Sequence, residues 1–433
     1  MTTNLILEET TLPIVFVNSE EVETFRKSPM MISEASSYLW ENESVYHIYL
    51  TPPCHSFGKE GKVIVAKSAD DLEAQYSDES IQFFLLVLND TCILKMRREN
   101  SIEECALNYI PSKEDLYSRN KGILELNILE QKRVMIVGLG SFGSQIAIEL
   151  AKAGVGEFAL FDFDRVELHN LARHTCTTKD LGRLKTDAIY DAIVGKNPYA
   201  KVDRFPVNIN KNIDNGLLDD EVKKADIIIC ATDNNQSRFN LSEALVRHQK
   251  VGIFGRAITR AEGGDVFRYR PGGPCYCCLV GTGTFDAAEE EITNLESARR
   301  EGRIPAYMAP DEAEAAVQVG LSADIEPMCN LMVKLTLMEL SRGMASGISS
   351  LENELIYDYY MWANRRETKY ANWAPLPNSA NMPTILRWYG VKVHKADGCP
   401  VCSQTIILDE GEDVFGLSDI DLDLNTDGLE LED

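Results

Sequence analysis

The sequence predicts an α/β fold: a mostly parallel sheet covered by helices over residues 113–405, preceded by a smaller α+β domain over residues 1–112. Three observations carry this. Buried-strand patterns such as "RVMIVG", "EFALFDFD" and "ADIIICATD" alternate with helical stretches, the texture of strand–helix–strand units. A glycine-rich turn, "GLGSFG", stands where the first of these strands becomes a helix. The first hundred residues hold short apolar runs instead, among them "LPIVFV", "VYHIYLT", "KVIVAK" and "IQFFLLVL", with polar, helix-capable stretches between them.

In chain order, "SEEVETFRKS" is the first helical candidate and "TCILKM" the last strand candidate of the small domain. After "NYIPSKEDLYSRNKG" the pattern changes. "RVMIVG" is a buried strand, "SFGSQIAIELAKAG" a helix closed by Gly154, and "EFALFDFD" the next strand. "KVDRFPVNI", "ADIIICATD" and "VGIFGRA" add strands, "EPMCNLMVKLTLMEL" a helix, and "ELIYDYYMW" a strand before a loop-rich stretch. The tail, residues 406–433, is expected to be disordered, because Asp409 to Asp433 holds 11 acidic side chains and no basic one. A rival reading adds "TIILDEGED" as an edge strand to a partner's sheet.

Composition narrows the function classes. The net charge is −25, from 43 basic and 68 acidic side chains, so a polyanion is repelled and nucleic acid is not expected as a partner. No apolar run reaches the roughly 20 residues a membrane span needs, and no basic segment precedes the first apolar residues. A cytoplasmic, non-membrane protein is the expectation. Eleven cysteines scattered through 433 residues point to thiols and metal ligation rather than a disulfide framework.

Gly138, Gly140 and Gly143 let the backbone turn tightly and bring helix N-terminal amides close to phosphate oxygens. Asp162 ends the second strand, where an acid holds ribose hydroxyls of NAD or ATP alike. Asn170, Arg173 and Lys185 follow it. Two cations there are of little use to hydride transfer but suit transfer of an adenylyl group, whose transition state gathers charge on phosphate. Asp233, after "IIICAT", is placed to hold Mg²⁺ at the carboxyl edge of the sheet. Taken singly, Arg173 and Lys185 are also readable as solvated charges, and Asp233 as a helix cap.

Two CxxC pairs, Cys275 with Cys278 and Cys399 with Cys402, can supply four thiolates to one structural zinc. A redox pair is the rival, and Cys277 is a bystander.

This ordered set resembles the ThiF/MoeB/HesA superfamily, the adenylating core shared by sulfur-carrier activators and ubiquitin-activating enzymes, over about Tyr117 to Cys402. The resemblance implies a Rossmann-like domain that uses ATP and Mg²⁺ to adenylate the C-terminal glycine of a ubiquitin-like or sulfur-carrier protein, usually as a homodimer, with a possible conjugating-enzyme partner. Residue by residue it implies Asp162 as the ribose acid, Asn170, Arg173 and Lys185 as phosphate contacts, and Asp233 as the Mg²⁺-linked acid. "YSRN" implies that Arg119 reaches the ATP of a second subunit. Ser141 stands where glycine is common and His174 where glutamine is frequent. Between Leu279 and Met328 no cysteine offers a thioester nucleophile. Cys329 and Cys176 are thin candidates, Cys230 is read as buried, and no covalent nucleophile is assigned. Rival functions are adenylation of a peptide C-terminus, a non-catalytic scaffold for a ubiquitin-like protein, and an NAD oxidoreductase supported by the glycine turn alone.

Overall fold

Among the described residues, two eight-stranded sheets organise the chain. The computed structural model describes residues 14–40, 45–51, 59–99, 101–110, 113–211, 216–281, 320–345, 348–366 and 385–403. The acidic tail and most of the crossover before "EPMCNL" fall outside that set.

The first sheet takes β1 (Ile14–Asn18), β2 (Ile32–Trp40), β3 (Val45–Tyr49), β4 (Lys59–Ala66), β5 (Ile81–Val87), β6 (Cys92–Arg98), β7 (Ser101–Cys105) and β8 (Leu107–Ile110) in the spatial order β7-β6-β5-β4-β2-β3-β1-β8. Alternate residues point to opposite faces. Val15, Val17, Ile48, Val63, Val65, Phe83 and Leu85 share a core with Val22 and Phe25 of α1 (Ser19–Lys27). Ile64, Ala66, Phe84 and Leu86 pack on the other side with Leu72 of α2 (Ala69–Glu73). Helix α1 forms where Asn18 accepts the Glu20 and Glu21 amides, with acids in its first turn and Arg26 and Lys27 in its last.

The second sheet follows the short helices α3 (Lys113–Leu116) and α4 (Leu126–Leu129). Its parallel half is built from β9 (Arg133–Val137), α5 (Ser141–Ala153), β10 (Glu157–Phe161), α6 (Lys185–Val194), β11 (Lys201–Phe205), α7 (Leu217–Lys224), β12 (Ile227–Cys230), α8 (Asn235–Arg247) and β13 (Val251–Ala257). The spatial order is β11-β10-β9-β12-β13, so the winding direction reverses at β9, with β10 on one side and β12 on the other. Ligand crevices open at such a reversal, outside the carboxyl ends of the strands.

The sheet then continues antiparallel through β14 (Gly263–Tyr269), β15 (Tyr359–Ala363) and β16 (Arg387–Val391). Between β14 and β15 the chain forms α9 (Tyr276–Gly281), α10 (Ser322–Leu340) and α11 (Ser349–Glu354). The strand read from "ELIYDYYMW" starts only at Tyr359: Glu354 ends α11, and residues 355–358 lie between the two elements. Helix α10 lies against α5 and the β13–β14 pair, burying Met328, Met332, Leu335 and Met338. The opposite face is closed by α7, α8 and the cysteine pairs.

Candidate active site

The three glycines of the turn differ in what they do. Gly138 has a positive φ of 86°, and a Cβ there would lie 2.7 Å from the Ala231 carbonyl oxygen. Gly143, in the first turn of α5, packs so closely that a Cβ would sit 1.9 Å from the Gly138 carbonyl oxygen. Gly140 is the N-cap of α5 and faces open space, with nothing within 4 Å of its would-be Cβ and no side-chain cap. The first-turn amides are thus presented to a ligand at the positive end of the helix.

Beyond this turn lies a cleft that opens to solvent. Of the sequence-predicted residues, Gly138, Gly140, Asp162, Asn170, Arg173, Lys185 and Asp233 all line it. Asp162 accepts hydrogen bonds from Leu139 N (2.6 Å) and Asp164 N (2.8 Å), tying the end of β10 to the turn. Asn170 accepts the Glu167 amide at 2.9 Å and so shapes the loop that carries Arg173. Asp233 is not the cap of α8; Asn234 is, accepting the Ser237 amide at 2.8 Å.

Lys185 opens α6 and is buried, its ammonium donating to Asp164 Oδ2 at 3.1 Å. Burial disfavours that charge, but Asp162, Asp164 and Asp233 outweigh it and hold the ammonium above the ordinary lysine range. Burial also raises the Asp164 carboxyl; Lys185 offsets this in part, while Asp162 and Asp233 add to it. Three carboxylates sharing one ammonium leave negative charge that a divalent cation would relieve. Arg173 is half-buried, and burial lowers its pKa.

His174 has a structural explanation. Its Nε2 lies 2.6 Å from the Leu139 carbonyl oxygen, and its Nδ1 accepts the Cys176 amide at 3.1 Å. That pattern fixes the neutral Nε2–H tautomer, pinning the glycine turn to the segment bearing Arg173. Burial pulls its pKa down to about 4.

Arg119 does not join the cleft. Its segment is stapled to the far end of α5 by Tyr117 Oη donating to the Ala151 carbonyl (2.9 Å) and by Asn120 Nδ2 donating to those of Lys152 and Ala153. A helix of 13 residues separates it from the turn, about 20 Å at 1.5 Å per residue. Asp164 and Arg256 are cleft residues that sequence reasoning missed. Arg256 is buried and its Nε donates to Asp265 Oδ2 at 2.9 Å, an oxygen that also accepts from Tyr359 Oη at 3.3 Å. For Asp164 the signal was present: two residues beyond Asp162 in "DFD", it shares that residue's side of the strand end.

The two CxxC pairs meet. The sulfurs of Cys275, Cys278, Cys399 and Cys402 lie within 4.8 Å of one another, all four residues buried. Individual separations are 3.9 Å for Cys275–Cys278, 3.6 Å for Cys275–Cys399 and 3.4 Å for Cys278–Cys402. The edge of a tetrahedral Zn–S₄ site is about 3.8 Å, so the donor set fits that metal. Cys277 is half-buried and stands outside the cluster. Cys329 is buried in α10 and burial pushes its thiol well up. Cys176 is pushed up to about 12 by burial, and Cys230, within β12, is raised by burial too. None of the three has a nucleophile's environment.

The model of the family described as "ThiF family" matches residues 117–361, more than half of the chain. The chain belongs to the ThiF family. Among curated ThiF-like relatives, the molybdopterin-synthase adenylyltransferase of Escherichia coli K12 is 36% identical over 153 residues, covering 35% of this chain and 59% of that protein. The adenylyltransferase and sulfurtransferase MOCS3 of Anopheles gambiae is 29% identical over 212 residues, covering 48% and 46%. The chain therefore spans roughly half the length of these relatives. A solved structure of the microcin C7 biosynthetic enzyme MccB with N-formylated MccA has 18% identity and a TM-score of 0.46, covering 68% of this chain and 77% of that one. Among the described residues no helix is long and apolar enough to cross a membrane.

Proposed function

We propose that this ThiF-family chain is an ATP-dependent adenylyltransferase that activates the C-terminal carboxylate of a ubiquitin-like or sulfur-carrier protein. The supporting observation is the meeting of a helix N-terminus, Arg173, Lys185 and the Asp162–Asp164–Asp233 group in one cleft. The adenylyltransferase names of its relatives support the same chemistry. In this reading residues 113–405 form the adenylation domain, and residues 1–112 an accessory domain that docks a carrier, a conjugating partner or a second subunit.

The carrier carboxylate, already ionised near neutral pH, attacks the α-phosphorus of ATP. A new carboxyl-O–P bond forms, the bond to the bridging oxygen of the β-phosphate breaks, and pyrophosphate leaves. Asp162 holds the ribose. The α5 amides, Asn170, Arg173 and Lys185 hold the phosphates and share the charge that builds on them. Asp233, with Asp164 beside it, would hold Mg²⁺, which neutralises phosphate charge when bound. The four cysteines would hold a structural Zn²⁺ that fixes the C-terminal knuckle to the sheet. Arg119 would act from a second copy in a homodimer, since within one chain it is on the wrong end of α5.

Exchange of labelled pyrophosphate into ATP tests this reading. Exchange that depends on a ubiquitin-fold carrier ending in glycine is the expected result. Exchange driven instead by a short free peptide would move the substrate class. No exchange with any carboxylate, and no response to Asp233→Ala, would favour the scaffold.

A further inference from the structure

The outer edge of β16 combines three features. Among the described residues β16 pairs with β15 alone, so the other side of its backbone has no strand on it. From Leu386 to Ala396 the chain carries Arg387, Lys392, His394 and Lys395 and no acid, within a protein of net charge −25. Arg387 Nη1 is buried without a hydrogen-bond acceptor among the described residues, its guanidinium 5.9 Å from the Tyr389 ring. A buried donor without an acceptor calls for one.

We propose that the acidic C-terminal segment of this same chain, Asp409–Asp433, docks on that basic edge. Charge complementarity is the first argument, since the segment holds 11 acids and no base. Where the chain leaves the described structure is the second. Ser403 Oγ donates to the Ala396 carbonyl at 3.2 Å, so the segment departs beside Lys395. Val391 and Val393 pack on the same core as Cys399 and Cys402, which puts the departure point on the sheet face that Val391 and, by alternation, Arg387 and Tyr389 share. A tether this short gives an effective concentration on the order of millimolar, and an extended chain covers about 3.3 Å per residue, enough to run the length of β16. An extended segment alongside β16 presents its acids to both faces, toward Arg387 on one and Lys392 on the other, with Lys395 at the point of departure, and the contact weakens as salt screens it.

Hydrogen exchange on the full-length protein reads this directly. In low salt those of the Arg387–Val391 amides that point away from β15 should be protected, and Lys392→Glu with Lys395→Glu should reduce their protection at least about tenfold, as should 1 M salt. Asp409→Lys, Glu410→Lys, Glu412→Lys and Asp413→Lys made together in that variant should restore protection, a rescue that a misfolded β16 would not show. Protection unchanged by charge reversal, by salt or by deletion of residues 406–433 would overturn the proposal. Protection that rises with protein concentration would assign the edge to a second copy and overturn it as well. These readouts do not depend on adenylation.

Discussion

The two sheets have the same number of strands but opposite consequences for chemistry. In the first, β1 is flanked by two parallel strands, β3 and β8, and β4 pairs parallel with β5, while the remaining neighbours are antiparallel. Its interior on both faces is almost entirely apolar. In the second, β10 and β12 lie on opposite sides of β9, and the cleft there is lined by a glycine turn, three acids and three cations. The residues that gather at the strand ends, rather than strand count, separate the two sheets.

The sharpest way to break this comparison is at the second sheet's crevice. Lys185→Ala or Asp233→Ala should lower carrier-dependent pyrophosphate exchange by at least about a hundredfold, the scale of losing one group that stabilises a transition state. The urea midpoint should report whether each variant is still folded. In the first sheet the effects should reverse. Phe83→Ala removes a fully buried ring and should cost about 3–5 kcal/mol by urea unfolding, while exchange per folded molecule stays unchanged.

Zinc removal separates the knuckle from the cleft. Cys278→Ser should lower bound zinc below one per chain by elemental analysis and reduce the melting temperature, because a four-thiolate site stabilises only the folded chain. Gly143→Ala should destabilise by roughly 1–3 kcal/mol, as its methyl meets the Gly138 carbonyl. Gly140→Ala, with open space before it, should leave stability near wild type and weaken nucleotide binding.

A last effect, absent near neutral pH, lies at His174. Its folded pKa of about 4 is below the unfolded value of about 6.5, so the unfolded chain binds the proton first as pH falls. The stability that His174 contributes is complete above pH ~6.5 and is lost as pH falls toward about 4. His174→Gln should flatten that part of a pH-versus-urea-midpoint profile.

Much of the second sheet was readable because its signals are local: a strand running into glycines, an acid at each strand end, cysteines in fixed pairs. Gly138, Asp162, Lys185 and Asp233 were picked out that way and line one cleft, and the four cysteines picked out by their spacing form one cluster. Asp164 escaped because the acid before it already filled the expected role, and Arg256 because an arginine within a strand carries no motif. The distance of Arg119 from the cleft depends on how Tyr117 and Asn120 grip α5, a tertiary contact that spacing does not encode. The interleaved order of the first sheet was equally hidden, since it rests on pairings between strands far apart in the chain.

Calorimetric titration of the full-length protein with ATP, at fixed Mg²⁺ and with NAD as the comparison ligand, tests the central claim most directly. The account predicts that ATP binds, that NAD does not, and that Lys185→Ala weakens ATP at least about tenfold, the scale of losing a charge-assisted contact. Tight NAD binding, or ATP binding equally strong without the Lys185 ammonium, would contradict it.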